Sequence, residues 1–108
     1  MIPMPPFDEL WSVVKRIPYG SVSSYGEIGK ALKNPTSGYF VGRWMANCPA
    51  DVPWWRVVAK DGRLPISKRS PELGLDQESR LQAEGIKIED GLVDKSVLLF
   101  AQDLDDLV

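Results

Sequence analysis

The dipeptide Asn34-Pro35 constrains this chain more than any other feature, because it divides two short stretches that both carry helical periodicity. A proline disfavours helical backbone at the residue before it and breaks the hydrogen-bond ladder of a helix interior. On one side, "SYGEIGKAL" offers Ser24 as an N-cap and Glu27 three residues later, the pattern of a capping box. It predicts a helix from Tyr25 to about Leu32, with Ile28 and Leu32 turned inward. On the other side, "TSGYFVGRWMAN" opens with two candidate caps, Thr36 and Ser37. It then spaces Phe40, Val41, Trp44 and Met45 as a second helix, which Asn47-Cys48-Pro49 ends. Two short helices joined by a tight break are how a helix-turn-helix presents its second helix to a DNA groove. Many ordinary helix pairs share the pattern. Gly38 and Gly42, four apart on one face, suit tight helix packing as well as approach to a phosphate.

Around this centre, Phe7, Leu10, Trp11, Val14 and Ile17 predict a first amphipathic helix over about Phe7 to Arg16, broken by a turn at Pro18 and Gly20. "WWRVVAKDGRLP" reads as a short strand, an Asp61-Gly62 turn and a return strand. Pro65 to Leu75 reads as a loop. Asp76 is the expected cap of a helix that ends at Gly85. "IKIEDGLVD" reads as a second small hairpin. Val97, Phe100 or Ala101, Leu104 and Val108 mark a final helix with an acidic outer face.

An apolar fraction of 44% with four Trp supports a packed core, and 108 residues suit one domain. The start lacks a basic segment followed by an apolar one, and no apolar run approaches the ~20 residues of a membrane span. A cytoplasmic protein without membrane contact is expected. There is one cysteine, Cys48, and no histidine. That excludes an internal disulfide, multi-cysteine metal sites and the Cys-His and Ser-His pairs of nucleophilic catalysis. No metal and no cofactor are expected. The net charge is -2, yet residues 30–69 hold eight basic against two acidic side chains, net +6, while residues 70–108 are net -7. A local field of that size suits a polyanion, although two faces that neutralise each other would give the same totals.

Four stretches come in order: "FDELWSVVKRIPYGSVSSYGEIGKAL", "NPTSGYFVGRWM", "PWWRVVAKDGRLP" and "RLQAEG". Together they resemble the DNA-binding domain of the O6-alkylguanine-DNA alkyltransferase family over about Phe7 to Val93. The first and third are specific in combination; each alone is weak. Residues 94–108 have no match and are read as an extra acidic C-terminal helix. The resemblance implies a fold that is mainly α with small β hairpins, a winged helix-turn-helix. The alkyltransferases carry Pro-Cys-His-Arg where this chain has Pro53-Trp54-Trp55-Arg56. Their cysteine accepts the alkyl group, and the histidine, with a water and a glutamate, activates it. The glutamate position matches Glu84. An indole has no nucleophilic lone pair and relays no proton at neutral pH. Cys48, six residues upstream, is not expected to reach the acceptor position. The chain looks like a member of the alkyltransferase-like branch, in which tryptophan often replaces that cysteine.

The resemblance implies binding to double-stranded DNA through the minor groove. Tyr25 would push the target phosphate so that the nucleotide rotates out. The arginine that fills the gap in relatives falls here on Tyr39, so either Tyr39 acts as an aromatic wedge or Arg43, one turn along, takes the role. The flipped base would enter a pocket of Tyr25, Pro53, Trp54, Arg56 and Ser67, roofed by the 65–75 loop. DNA contacts would come from Ser24, Tyr25, Thr36, Ser37, Tyr39, Gly42, Arg43, Lys68 and Arg69. Structural readings stand beside these: Trp54 and Trp55 as core, Tyr25 as helix-start packing, Arg43 on a solvated face, Arg56 holding its loop, and Glu84 as a hydrogen-bonded helix end. The expected function is non-enzymatic. A monomer binds and flips O6-alkylguanine without dealkylating it and marks it for nucleotide excision repair proteins. The alternative is a winged-helix DNA-binding or protein-interaction module without lesion specificity.

Overall fold

The computed structural model describes residues 4–107 and, within them, every side chain except those of Ser67 and Lys68. Helix α1 (Phe7–Lys15) forms on the expected periodicity: Leu10, Val13 and Val14 are buried, and Phe7 stacks on Trp11 at 5.6 Å. Asp8 and Glu9 in its first turn and Lys15 in its last oppose the helix dipole.

Residues 22–24, for which the sequence reading gives only a cap at Ser24, form strand β1 (Val22–Ser24) with all three side chains buried. It is the centre of a parallel sheet in the order β2-β1-β5, with β2 at Val57–Val58 and β5 at Leu98–Leu99. Ser23 pairs with Val57 on one side and with Leu99 on the other. The expected hairpin from Val57 through Asp61-Gly62 therefore does not form as a ladder. Val57 and Val58 are both buried, the pattern of a strand covered on two faces, and they pair with β1 rather than with a return strand. Arg63 instead bridges Leu92, and Gly62 (φ +91°) takes a close approach to Val93 O that a Cβ would meet at 2.8 Å. The second hairpin is present as β3 (Ile88–Glu89) and β4 (Leu92–Val93). Asp90 and Gly91 at its tip both have positive φ, as a type I′ turn requires.

Helix α2 (Tyr25–Ala31) starts as expected, with Ser24 Oγ accepting from Glu27 N at 3.1 Å. Only half of the capping box forms. The Glu27 carboxylate accepts from Lys30 Nζ at 2.9 Å and from Ala101 N at 3.0 Å, tying α2 to the start of the last helix. After the Asn-Pro break, α3 (Gly38–Trp44) packs directly on α2. A Cβ on Gly29 would stand 2.2 Å from Thr36 O, and one on Gly38 would stand 2.9 Å from Gly26 N. Gly38 thus serves helix packing. Gly42 lies under the Tyr25 ring, with ordinary room for a Cβ at 3.8 Å.

The 65–75 segment is not a loop. It carries α4 (Ile66–Arg69) and the start of α5 (Pro71–Ala83). Ser70, not Asp76, is the cap: its Oγ accepts from Leu73 N at 3.3 Å, Pro71 opens the helix and Glu72 sits in the first turn. Cap, N1 proline and acidic first turn outweigh the loop-like composition. Gly85 ends the helix at φ +81°. The last helix, α6 (Ala101–Asp106), is shorter than expected because Leu98 and Leu99 are taken by the sheet. Leu104 still anchors it in the core.

The sheet separates two apolar clusters. Val57 faces Leu10, Ile28, Val41 and Leu104; Val22 and Val58 face Leu64, Leu81, Ile86 and Val93. Among the described residues, no helix is long and apolar enough to cross a membrane.

Candidate nucleic-acid interface

A buried ionic knot fixes the segment that carries Trp54. Trp54–Arg56 form one turn of 3-10 helix ahead of β2. Trp55 Nε1 donates to Glu84 Oε2 at 2.8 Å, Arg56 Nε donates to both oxygens at 3.1 Å, and Gly20 N donates to Oε1 at 2.8 Å. Arg56 Nη2 lies 3.0 Å from Oε2, with the two side chains 15% and 6% exposed. Arg56 Nη1 also donates to Ile17 O at 2.9 Å. Burial alone would push the Glu84 carboxyl up; the hydrogen bonds from Arg56, Gly20 and Trp55 outweigh it and hold the group below its usual range. Arg56, expected in the pocket or holding its loop, takes the second role: it is committed to this knot and does not line the cavity. Pro53 is buried and does not line it either.

Trp54 faces the other way. It is half-buried and forms part of the wall of a cavity of about 440 Å³, with Tyr25, Met45, Cys48, Arg69 and Gln77. Leu73, Asp76 and Arg80 complete the α5 side. That volume falls within the ~300–1,000 Å³ usual for small-molecule pockets. Trp54 and Trp55 meet edge to face at 6.0 Å, and the Arg80 guanidinium lies 4.7 Å from the Trp55 ring centroid and 6.0 Å from that of Trp54. Asp76 Oδ1 accepts from Arg80 Nε at 3.0 Å and holds it there. Cys48 lies on the same wall. Burial, and then the charge of Asp51, push its thiol up to about 11.

Tyr25, at the first turn of α2, belongs both to this cavity and to a neighbouring groove of about 260 Å³ that runs under α3. Burial raises its hydroxyl pKa, against an opposing pull from Arg69. Tyr39, Gly42, Arg43 and Arg69 share that groove. Tyr39 is 66% exposed, and Arg43 Nη1 donates to its hydroxyl at 3.1 Å. Phe40, 49% exposed, meets Tyr39 edge to face. The groove and the cavity thus draw together Tyr25, Tyr39, Gly42, Arg43, Trp54 and Arg69. Ser24 is elsewhere: its buried hydroxyl is spent on the α2 cap. Thr36 and Ser37 sit at the α2–α3 turn, where Ser37 precedes α3 without a side-chain cap bond. The side chains of Ser67 and Lys68 lie outside the described residues.

Sequence reasoning missed the α5 wall. Leu73, Asp76, Gln77 and Arg80 follow i, i+3, i+4, i+7 and all line the cavity. The spacing is legible in the sequence, but a helix that starts at Asp76 excludes Leu73 and so does not show the face.

A model of the DNA-binding domain of 6-O-methylguanine DNA methyltransferase matches residues 5–86. The chain is 38% identical over 85 residues to alkyltransferase-like protein 1 of Schizosaccharomyces pombe, covering 76% of this chain and 77% of that protein. It is 34% identical over 82 residues to a DNA base-flipping protein of Vibrio parahaemolyticus, covering 74% and 79%. A crystal structure of S. pombe Atl1, in complex with damaged DNA containing O6-carboxymethylguanine, superposes with a TM-score of 0.74 at 31% identity, over 91% of this chain and 98% of that one. Motif order, topology and these matches agree: the chain belongs to the 6-O-methylguanine DNA methyltransferase DNA-binding domain family.

Proposed function

We propose that this protein binds alkylated double-stranded DNA from the minor-groove side, turns an O6-alkylguanine out of the duplex and holds it against Trp54 without removing the alkyl group. The supporting observation is that Trp54 lies on a cavity wall, half-buried, and not sealed in the interior. Its segment is fixed from behind by the Glu84 knot, so the ring is presented on a rigid support. Rotating a nucleotide out costs a few kcal/mol, least for a poorly paired base. Stacking on an aromatic ring returns about 1–3 kcal/mol.

The chain's own groups divide the work. Tyr25 joins groove to cavity, so its hydroxyl can contact the phosphate of the rotating nucleotide while its ring borders the path inward. Tyr39, braced by Arg43, projects from α3 as a wedge for the vacated stack. The basic 30–69 segment supplies the attraction for phosphates. No alkyl transfer is proposed. Trp54 offers no nucleophile, and a Cys48 thiol near 11 is roughly one part in ten thousand ionised at pH 7. Capture without repair then leaves an occupied site for nucleotide excision repair proteins to find.

Anisotropy titration of matched duplexes, with and without one O6-methylguanine, tests the reading. Tighter binding of the lesion duplex and no labelled methyl on the protein are expected. A second reading is favoured by Tyr39 standing where relatives keep an arginine: DNA binding without lesion specificity. Equal affinities at matched salt decide for it.

A further inference from the structure

Helix α5 lines the Trp54 cavity with Leu73, Asp76, Gln77 and Arg80. A second set, Pro71, Gly74, Leu75 and Glu78, repeats the i, i+3, i+4, i+7 spacing and lines a separate groove of about 720 Å³. The two sets are offset by two positions, about 200° around the helix, so they lie on opposite faces of α5. The 59–65 segment and the tip of the β3–β4 hairpin supply the other walls of the groove. Leu64 and Pro65, Leu75 and Leu92 thus come from three segments to make one apolar surface. Leu75 is 69% exposed and Leu92 42% exposed, and Gly74 has no side chain to fill the middle of the α5 wall. A single exposed leucine is ordinary, but a continuous apolar groove with a polar rim marks an interaction site. The rim is acidic. Asp61, Glu78 and Asp90 stand on it against one cation, Arg63, which is itself paired with Asp61 at 3.1 Å. Among the described residues the Glu78 and Asp90 carboxylates have no ion pair or hydrogen bond.

That charge decides the occupant. Two uncompensated carboxylates, within a 70–108 stretch of net -7, repel nucleic acid and anionic lipid. A second copy of this chain would have to offer cations of its own, and Arg43 and Arg69 lie on the side given to DNA. A protein segment that carries Lys or Arg beside an apolar anchor matches both the floor and the rim. We propose that this groove docks a basic segment of a partner protein, with an apolar side chain seated against Leu75 and Leu92 and flanking cations on Glu78 and Asp90. Because the groove and the Trp54 cavity lie on opposite faces of α5, the partner binds while DNA is held. The docking stands on the groove alone; simultaneous binding rests on the capture proposed above.

A random-peptide phage library selected on the immobilised protein tests this. Enriched peptides are expected to share a large apolar residue flanked by Lys or Arg. Titrated into the ¹⁵N-labelled protein, one such peptide should shift the amides of Leu75, Gly91 and Leu92 and leave those of Tyr25 and Trp54 in place. Leu75→Ala should weaken it at least about fivefold. Glu78→Gln with Asp90→Asn should weaken it to a similar degree at low salt and less as salt rises. Asparagine tolerates the positive φ of Asp90, so the hairpin turn is kept. With a saturating O6-methylguanine duplex, at a salt concentration where the peptide alone does not bind DNA, the peptide affinity should change by less than about twofold. No enrichment, an acidic or uncharged consensus, shifts centred on the Trp54 cavity, or binding indifferent to Leu75→Ala overturns the docking. So does self-association in light scattering that Leu75→Ala abolishes, which assigns the groove to a second copy. Displacement of the peptide by the duplex overturns simultaneous binding. A protein that takes the peptide in the groove but binds no duplex counts against capture and not against the groove.

Discussion

Trp55 donates its indole proton to Glu84 at 2.8 Å, and the same carboxylate grips Arg56 through both oxygens. At the matching positions the alkyltransferases, which this chain resembles, keep a histidine and a glutamate that pass a proton. Here the pair is a support. An indole that only donates gives Glu84 nothing to relay, so the carboxylate is left to hold three segments together: the turn at Gly20, the Trp54–Arg56 turn and the end of α5.

Glu84→Ala should therefore cost stability more than any surface charge change. Removing it strands the mostly buried Arg56, a loss of about 3–5 kcal/mol for a broken buried pair. The acid side follows from the sign of the shift. Burial opposes ionisation of Glu84, but its donors prevail and lower its folded pKa; Glu27, held by Lys30 and Ala101 N, is lowered too. A lowered folded pKa contributes stability that is present above the unfolded value near 4.5 and disappears as pH falls through the folded value. Urea melts should show the wild-type midpoint falling below pH 4.5, with the gap to Glu84→Ala narrowing there. A gap independent of pH contradicts this.

Glycines at the helix pair give opposite outcomes by position. Gly29→Ala places a Cβ 2.2 Å from Thr36 O, backbone that cannot swing away, and should destabilise by about 1–3 kcal/mol or more. Gly42→Ala meets only the Tyr25 ring at 3.8 Å and gains up to about 1 kcal/mol of helix propensity. Thermal melts of the two variants should move in opposite directions.

Local chemistry made some of this legible from residues alone. The Ser24 cap, the Asn-Pro break, the Asp90-Gly91 hairpin and the Gly85 stop are set by backbone preferences within a few positions, and each stands where the sequence put it. The parallel sheet was not legible. Val22, Val57 and Leu98 are far apart in the chain, and each strand is two or three residues long, too short to show a period of two. The α5 wall is hidden for a related reason: a face is read only after the helix start is placed, and Asp76 competes with Ser70-Pro71 as a cap. Nor could spacing say that Arg56 turns away from the cavity while Cys48 turns toward it. The side on which each sits is decided by Glu84 and by packing, at separations of 28 residues and beyond.

Trp54→Ala separates pocket wall from core support. Its ring is half-buried and donates no bond to the Glu84 knot, so the fold should survive with a small loss. Affinity for an O6-methylguanine duplex should fall by roughly 5- to 150-fold, the equivalent of about 1–3 kcal/mol of stacking, with undamaged DNA bound as before. Circular dichroism and anisotropy on one preparation check both halves. An unchanged lesion preference removes the indole from the site.

Tyr39 and Arg43 can be told apart because one acts by shape and the other by charge. Arg43→Ala removes a cation from an exposed face, so it should weaken binding to every duplex and flatten the salt dependence by about one charge if the guanidinium meets a phosphate. Tyr39→Ala keeps the charge and removes the wedge. It should leave the salt slope unchanged and reduce the 2-aminopurine fluorescence rise that reports an unstacked neighbour. Tyr39→Phe loses only the 3.1 Å bond from Arg43 and should retain most of that rise. If instead Arg43→Ala abolishes unstacking while Tyr39→Ala does not, the guanidinium enters the stack, and the hydrogen bond between the two side chains must break each time the protein engages DNA.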